Sequence, residues 1–232
     1  MEIIQELIQG SIEWHKLRSG KISGTKLDDV MGSTLARVQL AAELIAQSGT
    51  EQSDITNPTL EMQRGIEEEE FALKLFEATT GKTVERIGAC VSSEYDWLML
   101  SPDGLIKNKD GKYTEAVEVK CPKSATAIFY KMVNLIPQEE LKLTPAQRNI
   151  LGVPADYIWQ VVHYFIVNKE LEKLYFVVYD VRFIEEQAKL YTVEVERNNL
   201  ELQEMITKAE IALQAFRVDW LRWQEVISPS NF

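Results

Sequence analysis

Three residues near the middle of the chain have the types and spacing for hydrolytic chemistry. Ser101-Pro102-Asp103-Gly104 places an aspartate on a strand-end turn, and Glu118-Val119-Lys120 follows 15 residues after Asp103 in a β-like run. Side chains alternate across a strand, so Glu118 and Lys120 share one face while Val117 and Val119 turn to the other, into a core. A hairpin of this length returns Glu118 beside Asp103. Two converging carboxylates suit a hard cation such as Mg2+ or Mn2+, which takes one or two carboxylates and fills its other positions with water and phosphate oxygens. A neighbouring ammonium orients or helps deprotonate an attacking water and offsets transition-state charge. Together these groups suit phosphodiester hydrolysis. Singly, Pro-Asp-Gly is a common turn and Glu-x-Lys an ordinary strand alternation, so the weight rests on their ordered co-occurrence.

Helices precede these strands. Ser11 and Ser23 stand as N-caps of short helices over 12–18 and 24–30, with Gly20 and Gly32 behind them. Apolar residues repeat at helical spacing over 35–48 (Leu40, Leu44, Ile45) and 59–79 (Leu60, Ile66, Phe71, Leu75, Phe76), the second run ending before Gly81. The runs 83–92, 97–100, 104–107 and 113–120, with a turn at 109–112, predict an antiparallel meander. Helices follow over 124–134 and 155–168, separated by Pro137, Pro145 and Pro154. Strands at 173–181 and 191–196 and a long helix over 200–226 complete the chain. This order predicts an α/β or α+β fold with a central mixed sheet flanked by helices. With no repeat and no long linker, residues 1–232 read as one domain, the helices of 11–80 and 200–226 packed on its core.

Composition removes several alternatives. The chain has 232 residues, 45% hydrophobic and 26% charged, enough to bury a sizeable core. Two cysteines, Cys90 and Cys121, exclude a disulfide framework, a four-cysteine zinc site and an iron–sulfur ligand set. His15 and His163 lack zinc-site spacing, which leaves oxygen as the main metal donor. No run of about 18 apolar residues and no basic, apolar leader occur, so a cytoplasmic protein without membrane contact is expected. The net charge of −11 opposes phosphate binding, yet residues 1–40 are neutral and 101–160 carry +1, so a local basic lining survives.

Pro102-Asp103 and Glu118-Val119-Lys120 match the PD-(D/E)XK nuclease signature, and longer blocks narrow the match. Trp14-His15-Lys16-Leu17-Arg18-x-Gly20-x-Ile22, Ser101-Pro102-Asp103-Gly104-Leu105, Glu118-Val119-Lys120-Cys121-Pro122 and Tyr157-x-x-Gln160-Val161 occur in order. They resemble the four motif blocks of the phage lambda exonuclease and YqaJ-type viral recombinase family over residues 11–182. The 40 residues from Lys120 to Gln160 depart from the family spacing, with the excess around 137–154.

That resemblance implies a restriction-endonuclease-like fold in which Asp103, Glu118 and the Val119 carbonyl hold metal and Lys120 stands on the nucleophilic water. A further carboxylate would come from the helix carrying Glu67-Glu68-Glu69-Glu70. Neighbours on a helix are about 100° apart, so at most one or two can aim at one ion: three of the four are read as a solvated face, and Glu69 is assigned, with Glu70 as the register alternative. Arg18, Thr25, Ser101 and Gln160 would form a pocket for a 5′-phosphate, Thr25 keeping the hydroxyl of the family's serine. The expected activity is Mg2+-dependent 5′→3′ digestion of one strand of linear duplex DNA from a 5′-phosphorylated end, Mn2+ substituting and two ions per site. The resemblance also implies a toroidal homotrimer on DNA ends, a phage single-strand annealing protein as partner and a phage-encoded protein in the bacterial cytoplasm. A structure- or sequence-specific endonuclease and a non-catalytic DNA-end-binding module are the alternatives.

Overall fold

The computed structural model describes residues 1–50 and 59–227. In chain order the elements are β1 (Glu2–Ile4), α1 (Ile12–Arg18), α2 (Leu27–Met31), α3 (Thr34–Gly49), α4 (Leu60–Thr80), β2 (Ala89–Val91), β3 (Met99–Leu100), β4 (Gly104–Lys107), β5 (Tyr113–Lys120), α5 (Ser124–Leu135), α6 (Gln138–Leu141), β6 (Asn149–Ile150), β7 (Val153–Pro154), α7 (Ala155–Val167), β8 (Lys173–Tyr179), α8 (Glu186–Lys189), β9 (Leu190–Glu196) and α9 (Leu200–Ile227). Single 3-10 turns lie at Gly24–Lys26 and Pro145–Gln147.

The central sheet has the order β4-β5-β8-β9. β4 and β5 pair antiparallel, β5 and β8 parallel, and β8 and β9 antiparallel, which makes the sheet mixed. Strand alternation separates two layers. Val117, Val119, Tyr175, Val177 and Tyr179 pack on Ala72, Leu73 and Phe76 of α4. Ala116, Leu174, Phe176 and Val178 belong to the larger core with α7, α2, α3 and α9. Eight residues of α7 are buried, so it runs through the interior beneath the sheet. Among the described residues, no helix is long and apolar enough to cross a membrane.

Three expectations need correction. The meander splits: β4 and β5 pair as a hairpin, but β2 and β3 join β1 in a separate three-stranded sheet. Pro102 lies between β3 and β4, and its missing N–H and fixed φ interrupt the ladder there. The run 83–92 shortens to Ala89–Val91 with one bridge at Glu85, where Gly88 lies so close to Leu7 that an added Cβ would meet the Leu7 carbonyl oxygen at 1.9 Å. On α4 the inward face is Glu68, Ala72, Leu73 and Phe76, whereas Leu60, Ile66 and Phe71 are exposed. The sheet surface accepts the small Ala72 beside Phe76, so steric fit sets the buried face over hydropathy spacing. The solvated reading of three of the four glutamates therefore fails at Glu68, which is buried.

The stretch that departs from family spacing folds locally. α5 and α6 are followed by a 3-10 turn and the β6–β7 hairpin, which returns the chain to α7. Lys142 and Leu151 adopt positive φ there, at 49° and 55°.

Candidate active site

Register brings the acidic residues together. Gly104 pairs with Val117 in the β4–β5 hairpin, so Asp103, one residue back, falls beside Glu118. The Val119 N–H donates to Asp103 Oδ2 at 2.7 Å, tying the turn to the strand. Glu118 is 1% exposed, on the sheet face turned toward α7. Lys120 Nζ donates to Glu118 Oε1 at 2.5 Å and lies 5.0 Å from the Tyr157 ring centroid.

A buried carboxylate is tolerated when its lone pairs are engaged. α7 supplies two donors one turn apart: Gln160 Nε2 donates to Glu118 Oε1 at 2.6 Å, and the Tyr164 hydroxyl donates to Oε2. The Asp103 backbone N–H reaches the same hydroxyl, so Tyr164 bridges both acidic residues. Burial pushes the Tyr164 hydroxyl well above its ordinary pKa, so it stays a donor.

The electrostatics are those of a site short of positive charge. Burial, together with Glu118 and Glu69, holds the Asp103 carboxyl well above the usual carboxylate range, opposed by Lys120 and the Val119 N–H. Burial works to lower Lys120, but Glu118 and Asp103 outweigh it and hold the ammonium above the ordinary lysine value. Glu69 pairs with Arg86 at 2.5 Å. Burial raises its carboxyl, Arg86 opposes that, and Glu118 and Lys120 also act on it, so Glu69 stands in the field of the site. Glu70 instead faces solvent and pairs with Lys74 at 2.5 Å.

Beside this cluster lies a receptor of opposite sign. Ser11 caps α1 by accepting from the Trp14 N–H, and the helix ends on Arg18. Arg18 Nη2 donates to Ser23 Oγ at 3.0 Å and Thr25 Oγ1 at 3.4 Å, with its guanidinium 4.8 Å from the Trp14 ring centroid. Trp14 Nε1 donates to Ser101 Oγ at 3.0 Å, connecting the group to the turn that carries Asp103. Burial lowers the Arg18 pKa, against the attraction of Glu43. Among the described residues no carboxylate comes within ion-pair distance of it. A guanidinium with two hydroxyls and no anion is a receptor for one.

The structure thus links Asp103, Glu118, Lys120 and Gln160 directly and joins Arg18, Thr25 and Ser101 to them through Trp14, while Glu69 pairs with Arg86 and reaches the cluster only through its field, and one further residue differs from expectation. Gln160 abuts the Arg18 group, since a Cβ on Gly24 would meet Gln160 Cγ at 2.9 Å, yet its amide donates to Glu118. Sequence reading missed Tyr164, although its spacing four residues after Gln160 on one helix was the available signal. It also read Ser23 as a helix cap. Ser23 makes no cap bond and accepts from Arg18 instead.

The donors fit a hard cation. Among the described residues no three His, Cys, Asp or Glu form a ready-made ligand cluster. Among the described residues Asp103, however, accepts a hydrogen bond from the Val119 N–H alone, and three donors leave Glu118 about one of its roughly four lone-pair positions. Two carboxylates and a carbonyl suffice for an ion that keeps several waters, and burial with like-charge crowding favours its entry.

A mixed sheet between helical layers, with an Asp-Glu-Lys cluster at a strand end, defines an α/β protein with a candidate hydrolytic site. The family model for the YqaJ-like viral recombinase domain matches residues 13–170, and the chain belongs to that family. Its structure is similar to LHK-Exo, an alkaline exonuclease from Laribacter hongkongensis, at 26% identity and TM-score 0.73, over 94% of this chain and 96% of that one. The crystal structure of LHK-Exo in complex with dAMP is similar over the same shares at TM-score 0.72. A phage related exonuclease from Haemophilus somnus 129PT shares the fold at 15% identity and TM-score 0.60, over 90% of this chain and 96% of its own. No curated protein matches the sequence. Membership in a nuclease family implies metal dependence.

Proposed function

We propose that this protein is a Mg2+-dependent 5′→3′ exonuclease that digests one strand of linear duplex DNA from a 5′-phosphorylated end, leaving a 3′ single strand for annealing in phage-type recombination. The observation that carries this reading is the adjacency of two receptors, an acidic pair with its lysine and a guanidinium with no carboxylate partner among the described residues, bridged by Gln160 and Trp14. The binding of dAMP by LHK-Exo supports a nucleotide-bearing substrate.

Arg18, Ser23 and Thr25 receive the terminal phosphate, with Ser101 and Gln160 lining the way to the acidic pair. Seating that phosphate fixes the strand's register, so that the first phosphodiester falls at the acidic pair and digestion acquires polarity. Asp103, Glu118 and the Val119 carbonyl would hold Mg2+, or Mn2+ in its place, with Glu69 nearest for a second ion. Such an ion, when bound, supplies positive charge at the scissile phosphate and makes water a stronger nucleophile. Lys120, held protonated, orients the attacking water by donating to it and offsets charge as the bond breaks. Gln160 and Tyr164 keep the Glu118 carboxylate in one orientation. A homotrimeric ring closed on duplex DNA would retain so acidic a protein by topology, and a phage single-strand annealing protein would receive the exposed strand.

A time course on 5′-phosphorylated linear, 5′-hydroxyl linear and covalently closed circular duplexes, with Mg2+ or EDTA, tests the reading. The expected result is Mg2+-dependent loss of the phosphorylated linear form first, slower loss of the hydroxyl form and an intact circle. Arg18→Ala should remove most of the preference for the phosphorylated end while Mn2+ still binds. Cutting of the circle would make the protein an endonuclease, and end binding without cleavage a non-catalytic module.

A further inference from the structure

The β5 ladder ends at Lys120, which pairs with Val178. The next two residues leave the sheet, and Pro122 has no N–H, so a fraying strand end would be expected directly behind the ammonium of the site. Two arginines occupy that place. Arg64, on α4, donates from Nη2 to the Cys121 carbonyl at 2.7 Å. Arg182, just past β8, donates from Nη2 to the Pro122 carbonyl at 3.0 Å.

Each arginine stands against a buried carboxylate outside the acidic pair. Arg182 forks onto Asp180, Nε to Oδ1 at 2.7 Å and Nη2 to Oδ2 at 3.0 Å, and Asp180 also accepts from the Ser124 side chain. Asp180 is 1% exposed. Arg64 Nε is 3.8 Å from Glu68 Oε1, one turn along α4, and neither Arg64 Nε nor Glu68 Oε2 has a hydrogen-bond partner among the described residues. The directional bond of Arg64 thus goes to the carbonyl, while Glu68 supplies countercharge. Carbonyls without a strand partner are held from two different elements, α4 and the loop after β8.

We propose that Arg64 and Arg182 are positioning residues that clamp the Cys121-Pro122 backbone and thereby fix where Lys120 places its ammonium relative to Glu118. The proposal rests on the exonuclease reading. A lysine side chain has four rotatable bonds, so its tip is placed only as well as its backbone root. Displacement of a reacting group by about 1 Å costs up to about a hundredfold in rate.

The test uses the full chain with Arg64→Leu, Arg182→Leu, the double variant, and Arg64→Lys and Arg182→Lys. Amide hydrogen exchange over residues 119–124, kcat and KM on a 5′-phosphorylated linear duplex, and Mn2+ affinity by calorimetry are measured. The double variant should exchange faster at 121–124 and lose about ten- to hundredfold in kcat, with KM and Mn2+ affinity held within about twofold. The lysine variants, which keep a donor, should recover much of the rate. Unchanged exchange, faster exchange with unchanged kcat, or Mn2+ affinity falling together with kcat would each overturn the clamp. If the double variant does not fold, the single variants carry the same comparisons. A wild-type chain that digests no linear duplex overturns the exonuclease reading and the link to turnover, whereas exchange reports on the clamp separately.

Discussion

Asp103 shows how a site of this kind works against the stability of its own fold. Its carboxyl is raised by burial and by Glu118 and Glu69, so the folded chain binds that proton more tightly than the unfolded chain. A raised folded pKa contributes stability below the ordinary aspartate value of 3.8, and that contribution is lost as pH rises through the folded value. At neutral pH without metal, Asp103 is therefore a liability. Asp103→Asn keeps an oxygen for the Val119 N–H and removes the charge. It should stabilise the EDTA-treated protein by about 1 kcal/mol, or about 2–4 °C in Tm, and abolish digestion. Melting curves with EDTA and with Mg2+ check this: Mg2+ should raise the wild-type Tm and leave the variant unmoved. A variant that melts lower than wild type in EDTA would contradict the assignment.

Among the elements, the β4–β5 hairpin sets the distance between the carboxylates, and one glycine lets it pack. A Cβ at Gly104 would lie 2.1 Å from Val84 Cγ1, in the segment that bridges to β4 through Glu85 and Leu105. Gly104→Ala should cost about 1–3 kcal/mol by overpacking and, by shifting the residue after Asp103, slow digestion as well. Gly65 on α4 provides the contrast, because nothing lies within 4 Å of its added Cβ. Gly65→Ala should stabilise by about 0.4–1 kcal/mol with activity unchanged. Urea titrations of both variants decide the matter, and equal effects would show that steric crowding at β4 is not the cause.

For the whole molecule, the charge of −11 is the governing quantity. An isolated acidic chain gains little from phosphate attraction, so on the proposed function retention on DNA would come from the local receptor and from the proposed ring. A closed trimer should sediment near 80 kDa, about three times the 26.6 kDa chain, under conditions of active digestion. Digestion begun on labelled duplex should then continue after a large excess of unlabelled ends is added. An active species of one chain's mass, or digestion stopped at once by the competitor, would remove the ring from the account.

The convergence of Asp103, Glu118 and Lys120 was legible from sequence because it depends on local rules. Two-residue alternation places Glu118 and Lys120 on one face, a short hairpin fixes the return of the chain, and both act within the 18 residues from 103 to 120. The boundaries of β4 and β5, and those of α7 and α9 to within one residue, followed from the same short-range periodicities. Only the tertiary structure decided that Glu69 pairs with Arg86 within the field of the acidic pair while Glu68 is buried beside Arg64, that β1 to β3 form a sheet of their own, and that Tyr164 and Gln160 hold Glu118 across 46 and 42 residues of chain. Those outcomes depend on which surfaces meet and which buried polar atoms find partners, and side chains so far apart in sequence leave no periodic trace of their meeting.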